Sequence, residues 1–170
     1  MSIALIARIV FATNIEYYTL TFTYDQSSAR QMLSALNEWR TGSTWYWNSD
    51  NRSKTTFAKG ELSNLQWDYN LEQIAMQRAY EIVLLAEHRR PNGQDIFSIS
   101  VNGVTTKGEN IACGTGTTLD TYQKTLDGFK EDNEQYAGQG HRRNMLSSKF
   151  NAIGVAHVVV DGTHYWVQEF

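Results

Sequence analysis

Asp161-Gly162 sits between two runs rich in β-branched residues, and no other dipeptide constrains the fold as much. A two-residue Asp-Gly loop selects a turn whose twist suits an antiparallel hairpin. Residues 153–160 then pair with residues 163–170, with Val160 opposite Thr163 and Val159 opposite His164. Side chains alternate along a strand, so His157, Val159, His164 and Trp166 share one face. Two imidazoles on such a face can ligate a metal, but packing beside Trp166 is the plainer use of them.

Helical periodicity dominates the middle of the chain. Ala29, Met32, Leu33, Leu36 and Trp39 recur at spacings of three and four, which predicts an amphipathic helix over residues 28–40. Asp25 or Ser27 offers its N-cap, and Thr41-Gly42 ends it. Leu71, Ile74, Ala75, Ala79, Ile82, Val83 and Ala86 keep one face and predict a helix over residues 71–88. Pro91 biases the preceding residue out of helix. His88 is thus expected in the last turn, where a charged imidazole complements the helix dipole. A third helix is expected over residues 117–136, with Tyr122, Leu126 and Phe129 buried. In that phase Asp132 lies near the buried face and Glu131 points away.

Between the helices the signals are shorter. Residues 15–24 read as a strand or extended arm, and residues 97–101 as a short strand before an Asn102-Gly103 turn. Trp45-Tyr46-Trp47 opens a polar loop over residues 48–59 and is expected to cover the first helix. The division that follows is an N-terminal strand or arm, residues 1–24, and a domain over residues 25–170.

Composition excludes some functions. A net charge of −3 and the lack of a Lys/Arg stripe give no footprint for nucleic acid. Cys113 is the single cysteine, so no intrachain disulfide can form. The apolar run over residues 3–11 is interrupted by Arg8, reads poorly as a signal peptide and is too short to span a bilayer.

A few residues carry possible chemistry. His141 follows Gly138 and Gly140 in QGHRRNML, where a glycine-rich turn can aim an imidazole into a cleft. Glu109 stands between glycines, ahead of an apolar Ile-Ala-Cys step. It either caps local amides or lines a cleft. Cys113, four residues on, is expected to be a buried inert thiol rather than half of a Cys–His nucleophile.

Taken together, WDYNLEQIAMQRAYEI, EHRRPNG, GENIACG, GHRRNML…FNAIGVA and HYWVQEF resemble the CAP superfamily of cysteine-rich secretory, antigen 5 and pathogenesis-related 1 proteins, in its bacterial SCP-like branch. The resemblance covers roughly residues 27–170. It implies an α+β fold, an α-β-α sandwich with a central antiparallel sheet between helical layers. It also implies a cleft lined by His88, Glu109, Asp132 and His141, with the adjacent Glu131 as the alternative fourth member. No cofactor is required. Zn²⁺ is an optional occupant, with His88 and His141 as its ligands. The implied function is a secreted or cell-surface module that binds a small apolar ligand or a protein or glycan partner. The alternative is a metal-assisted, peptidase-like hydrolase using His88 and His141, with Glu109 as candidate base. The reading leans away from an enzyme.

Overall fold

The computed structural model describes residues 2–11 and 14–170, with side chains described from Thr21 onward. The antiparallel C-terminal hairpin is its centre. Strands β7 (Ala152–Val160) and β8 (Thr163–Glu169) pair with Val160 opposite Thr163 and Val159 opposite His164. Asp161 and Gly162 both adopt positive φ, 47° and 73°, as a primed turn requires. Strand β6 (Glu109–Thr115) pairs with the far side of β8 and forms one edge of the sheet. On the other side lie β1 (Ser2–Phe11) and β2 (Asn14–Tyr24), giving the order β1-β2-β7-β8-β6. Only Thr23 and Tyr24 of β2 reach β7. A short strand, β5 (Gln66–Trp67), joins the other end of β7 in parallel.

Strand alternation sorts the two faces. Ile153 and Val155 of β7 and Trp166 of β8 pack with Ala29, Met32 and Leu36 of helix α1 (Gln26–Arg40). Leu126 and Phe129 of α3 (Tyr122–Lys130) and Met145 of α4 (Gly140–Met145) complete that layer. On the opposite face Ala156, Val158, Val160 and Val167 meet Ala75, Ala79 and Ile82 of α2 (Tyr69–Leu84). The result is a sheet between two helical layers. Gly154 makes the α2 contact possible: a Cβ there would overlap the backbone nitrogen of Glu72 and the carbonyl carbon of Leu71. Opposite α2, the Arg40 side chain is buried and donates to the carbonyls of Ser63, Met145 and Ser147, tying α1 to the end of α4.

Several local expectations are corrected. The loop expected over residues 48–59 contains a strand, β4 (Lys54–Phe57), which pairs as a hairpin with β3 (Thr44–Trp47) before it. Its rings divide: Trp45 and Trp47 hold the Lys54 ammonium, while Tyr46 lies against Phe57. Residues 96–98 form a 3-10 turn rather than a strand, and Val101 bridges Val104 around the expected turn. Helix α2 ends at Leu84, short of His88. Arg78 holds the Glu87 carbonyl and Arg90 holds Glu81, so the chain folds back along the helix instead of extending it. His88 lies in that return loop, and its role at a helix end falls away. Helix α3 ends at Lys130, well before residue 136, because Glu131 takes a left-handed conformation (φ 49°, ψ 42°).

Candidate functional site

Glu109 opens β6 with its side chain fully buried on the α2 face of the sheet. Arg78, also fully buried, projects from α2 and donates Nε to Glu109 Oε2 at 2.5 Å. Its other nitrogens reach Glu81 and the Glu87 carbonyl. His88 Nδ1 lies 2.9 Å from Glu109 Oε1, with the ring 55% exposed. Burial alone would push the Glu109 carboxyl up, but the His88 and Arg78 contacts outweigh it and hold the group below its ordinary value. Glu109 is thus an anion with internal partners on both oxygens.

The second pair lies across the strand. His141, in the first turn of α4, places Nδ1 2.7 Å from Glu131 Oε1 and sets its ring against Phe129 at 4.9 Å. Asp132 does not take this place. It bonds Arg142 at 2.7 Å and is 59% exposed. Helical phase favours Asp132 only if the helix continues. The left-handed Glu131 ends the helix there and turns its own side chain toward His141. Arg142 fixes the turn from behind, donating to the Trp45 and Lys130 carbonyls, with its guanidinium between the rings of Trp39 and Trp45.

Two crossed hydrogen bonds link the pairs. Asn110 donates to the His141 carbonyl at 3.2 Å, and Asn144 of α4 donates to the Glu109 carbonyl at 3.2 Å. Glu109 and Asn110 are neighbours on a strand, so they face opposite sides of the sheet. The His88–Glu109 pair and the His141–Glu131 pair therefore straddle the start of edge strand β6. Each imidazole turns Nδ1 to its carboxylate, which leaves Nε2 as the atom that could ligate a metal. Among the described residues no group of three or more His, Cys, Asp or Glu side chains converges as metal ligands do. Arg78 already supplies the cation on Glu109.

Other expected groups are placed as follows. Cys113 is exposed, opposite Tyr165, and not buried as expected. His157 stacks on Trp166 at 3.8 Å and approaches His164 at 2.9 Å. Burial foremost, then the neighbouring His164, lowers the His157 imidazole to about 4. Residues that sequence reasoning passed over include Arg78, read as part of an ordinary helix, and Glu169, read as part of a strand. Their charges at positions in phase with buried neighbours were the available signal.

A three-layer α+β sandwich carrying paired imidazoles and carboxylates at a sheet edge defines the class of protein. The sequence matches the cysteine-rich secretory protein family, CAP, over residues 33–170, and the chain belongs to that family. Two solved structures share the fold. An extracellular SCP-domain protein from Bacillus anthracis has 17% identity and a TM-score of 0.53, over 85% of this chain and 41% of that one. An outer surface protein from Borrelia burgdorferi has 14% identity and a TM-score of 0.58, over 87% of this chain and 96% of that one. The chain thus spans less than half of the Bacillus protein. Comparison with curated proteins finds no match.

Proposed function

We propose that this chain is an extracellular or cell-surface binding module whose ligand is small and apolar. The state of Glu109 carries the reading. Both its oxygens are engaged, by Arg78 and His88, inside the fold. A general base must lie within reach of the proton it takes, and Glu109 is fully buried with both oxygens already turned to Arg78 and His88 rather than to a substrate. A metal-assisted hydrolase would also need a third ligand or a free base beside His88 and His141, and each imidazole instead gives Nδ1 to its own carboxylate.

A cavity supports the choice of ligand. About 590 Å³ opens between the starts of α1 and α2, within the range of small-molecule sites. Tyr24, Tyr69 and Met76 supply apolar wall, and the Arg30–Glu72 ion pair forms a polar side. Met76 and Arg78 are two residues apart on α2, about 200° around the helix. The cavity and the His88–Glu109 pair therefore use different flanks of one helix. Extracellular placement is supported by the two solved relatives, described as an extracellular and an outer surface protein. Among the described residues no helix is long and apolar enough to cross a membrane.

Purified protein incubated with lipid extract should retain an apolar species detectable by mass spectrometry, and a fluorescent acyl-chain probe should bind. Met76→Asp should weaken the probe about tenfold or more, since burying a charge in an apolar wall is costly. Retention of nothing above background, or zinc-dependent cleavage of a peptide library lost in His141→Ala, would overturn the reading.

A further inference from the structure

We infer that Glu169 is a further member of this site: a buried carboxylic acid that holds a proton at neutral pH and donates it to Glu109 in a hydrogen bond. Glu169 stands directly opposite Glu109 in the β6–β8 ladder, so their side chains share the α2 face. It is fully buried, and neither of its oxygens accepts a hydrogen bond from any described donor. An ionised carboxylate in that state would be a buried charge without a partner, which folds avoid. A protonated one has an O–H to give, and the Glu109 carboxylate beside it is an acceptor. Two carboxylates this close do not both ionise.

The surrounding groups decide which of the two keeps the proton. From α2, Arg78 binds Glu109 directly, with Glu81 on the guanidinium's far side. From the return loop, His88 binds Glu109, and Arg90 reaches no further than Glu81. Thr106, before β6, turns its hydroxyl to the Gly108 and Phe170 carbonyls, and its pull toward an ionised Glu169 is smaller than the opposing effects of burial and the Glu109 charge. On the β7 side the ladder neighbour of Glu169 is Gly154, which has no side chain to offer. Among the described residues every cation in the cluster is therefore engaged with Glu109 or Glu81. Glu109 is the anion and Glu169 the acid. Burial first, then the Glu109 charge, raises the Glu169 carboxyl well above its ordinary value, in agreement with that assignment.

The consequence is a proton stored one residue beneath the half-exposed His88, connected to it through Glu109. The folded protein binds one proton more than the unfolded chain wherever pH lies between the ordinary Glu value and the raised one. Stability from this group is fully present below the ordinary value and is lost as pH rises through the folded one, by up to about tenfold in the folding equilibrium per pH unit.

Infrared spectroscopy of the whole chain tests this. Wild-type protein at pH 7 should show the C=O stretch of a protonated carboxyl, and Glu169→Gln should lack it. The same variant should flatten the fall of stability with rising pH above about 5. Glu109→Gln removes the like charge, so the band should titrate away at lower pH than in the wild type. Absence of the band from wild-type protein would overturn the inference without recourse to any variant. So would a band that survives in Glu169→Gln, or wild-type and Glu169→Gln stability curves that run parallel. None of these readouts depends on a ligand, so the inference stands or falls apart from the apolar-ligand reading.

Discussion

Replacing Arg78 with methionine keeps most of the side chain's apolar length and removes its charge. The wild-type guanidinium is fully buried and bonds Glu109, Glu81 and the Glu87 carbonyl. In Arg78→Met, Glu109 stays buried with His88 as its remaining ionic partner, and the return loop loses its anchor. Breaking a buried ion pair from one side costs about 3–5 kcal/mol. Domains are stable by about 5–15 kcal/mol in all, so about a fifth or more of the margin is at stake. At about 2–4 °C per kcal/mol for a chain of this size, Tm should fall by about 6–20 °C. Calorimetry or denaturant unfolding reads this directly. The acid limb supplies a second readout. Glu109 is held below its ordinary value, so its contribution is present above the unfolded pKa and is lost as pH falls through the folded one. Arg78→Met should lose that contribution at higher pH than the wild type. Adding Glu109→Gln to Arg78→Met should recover part of the loss, because the orphaned charge is gone. A change within about 1 kcal/mol for the single variant, with an unaltered acid limb, would refute the argument that Arg78 neutralises this cluster.

Two further positions probe the frame around the site. Gly154→Ala should cost about 3 kcal/mol or more in denaturant unfolding, because the new methyl meets α2 backbone that has no flexible end to yield. Asp132→Asn should leave the ¹⁵N resonances of the His141 ring unchanged and stability within about 0.5 kcal/mol. Glu131→Gln should shift the Nδ1 resonance, because the carboxylate at 2.7 Å is the ring's partner.

Legibility in the sequence followed the range of the forces. The C-terminal hairpin was readable to the residue because Asp161-Gly162 sets its register locally. The buried faces of α1 and α2 were readable because their periodicity is continuous. Helix ends were not. Arg78 and Arg90 pull the chain off α2 through contacts nine residues apart, and nothing near Leu84 announces the stop. The end of α3 misled in the same way. A non-glycine residue in left-handed conformation is uncommon, so helical phase carried past Lys130 and selected Asp132 over Glu131. His88, Glu109 and His141 stood out through the family resemblance. Arg78 and Glu169 did not, since a charge on a helix or strand is ordinarily solvated. Only the ladder that sets Glu169 against Glu109, and the missing side chain at Gly154 that lets α2 approach, show why these two are buried.

The central claim is that Glu109 is held inside the fold by Arg78 and His88, and that among the described residues no third His, Cys, Asp or Glu converges with His88 and His141 as a metal ligand would. Calorimetric titration of Zn²⁺ into the whole protein at neutral pH tests it most directly. The account predicts no stoichiometric high-affinity binding, with His88→Ala and His141→Ala indistinguishable from the wild type. One-to-one binding that disappears in both variants would contradict it.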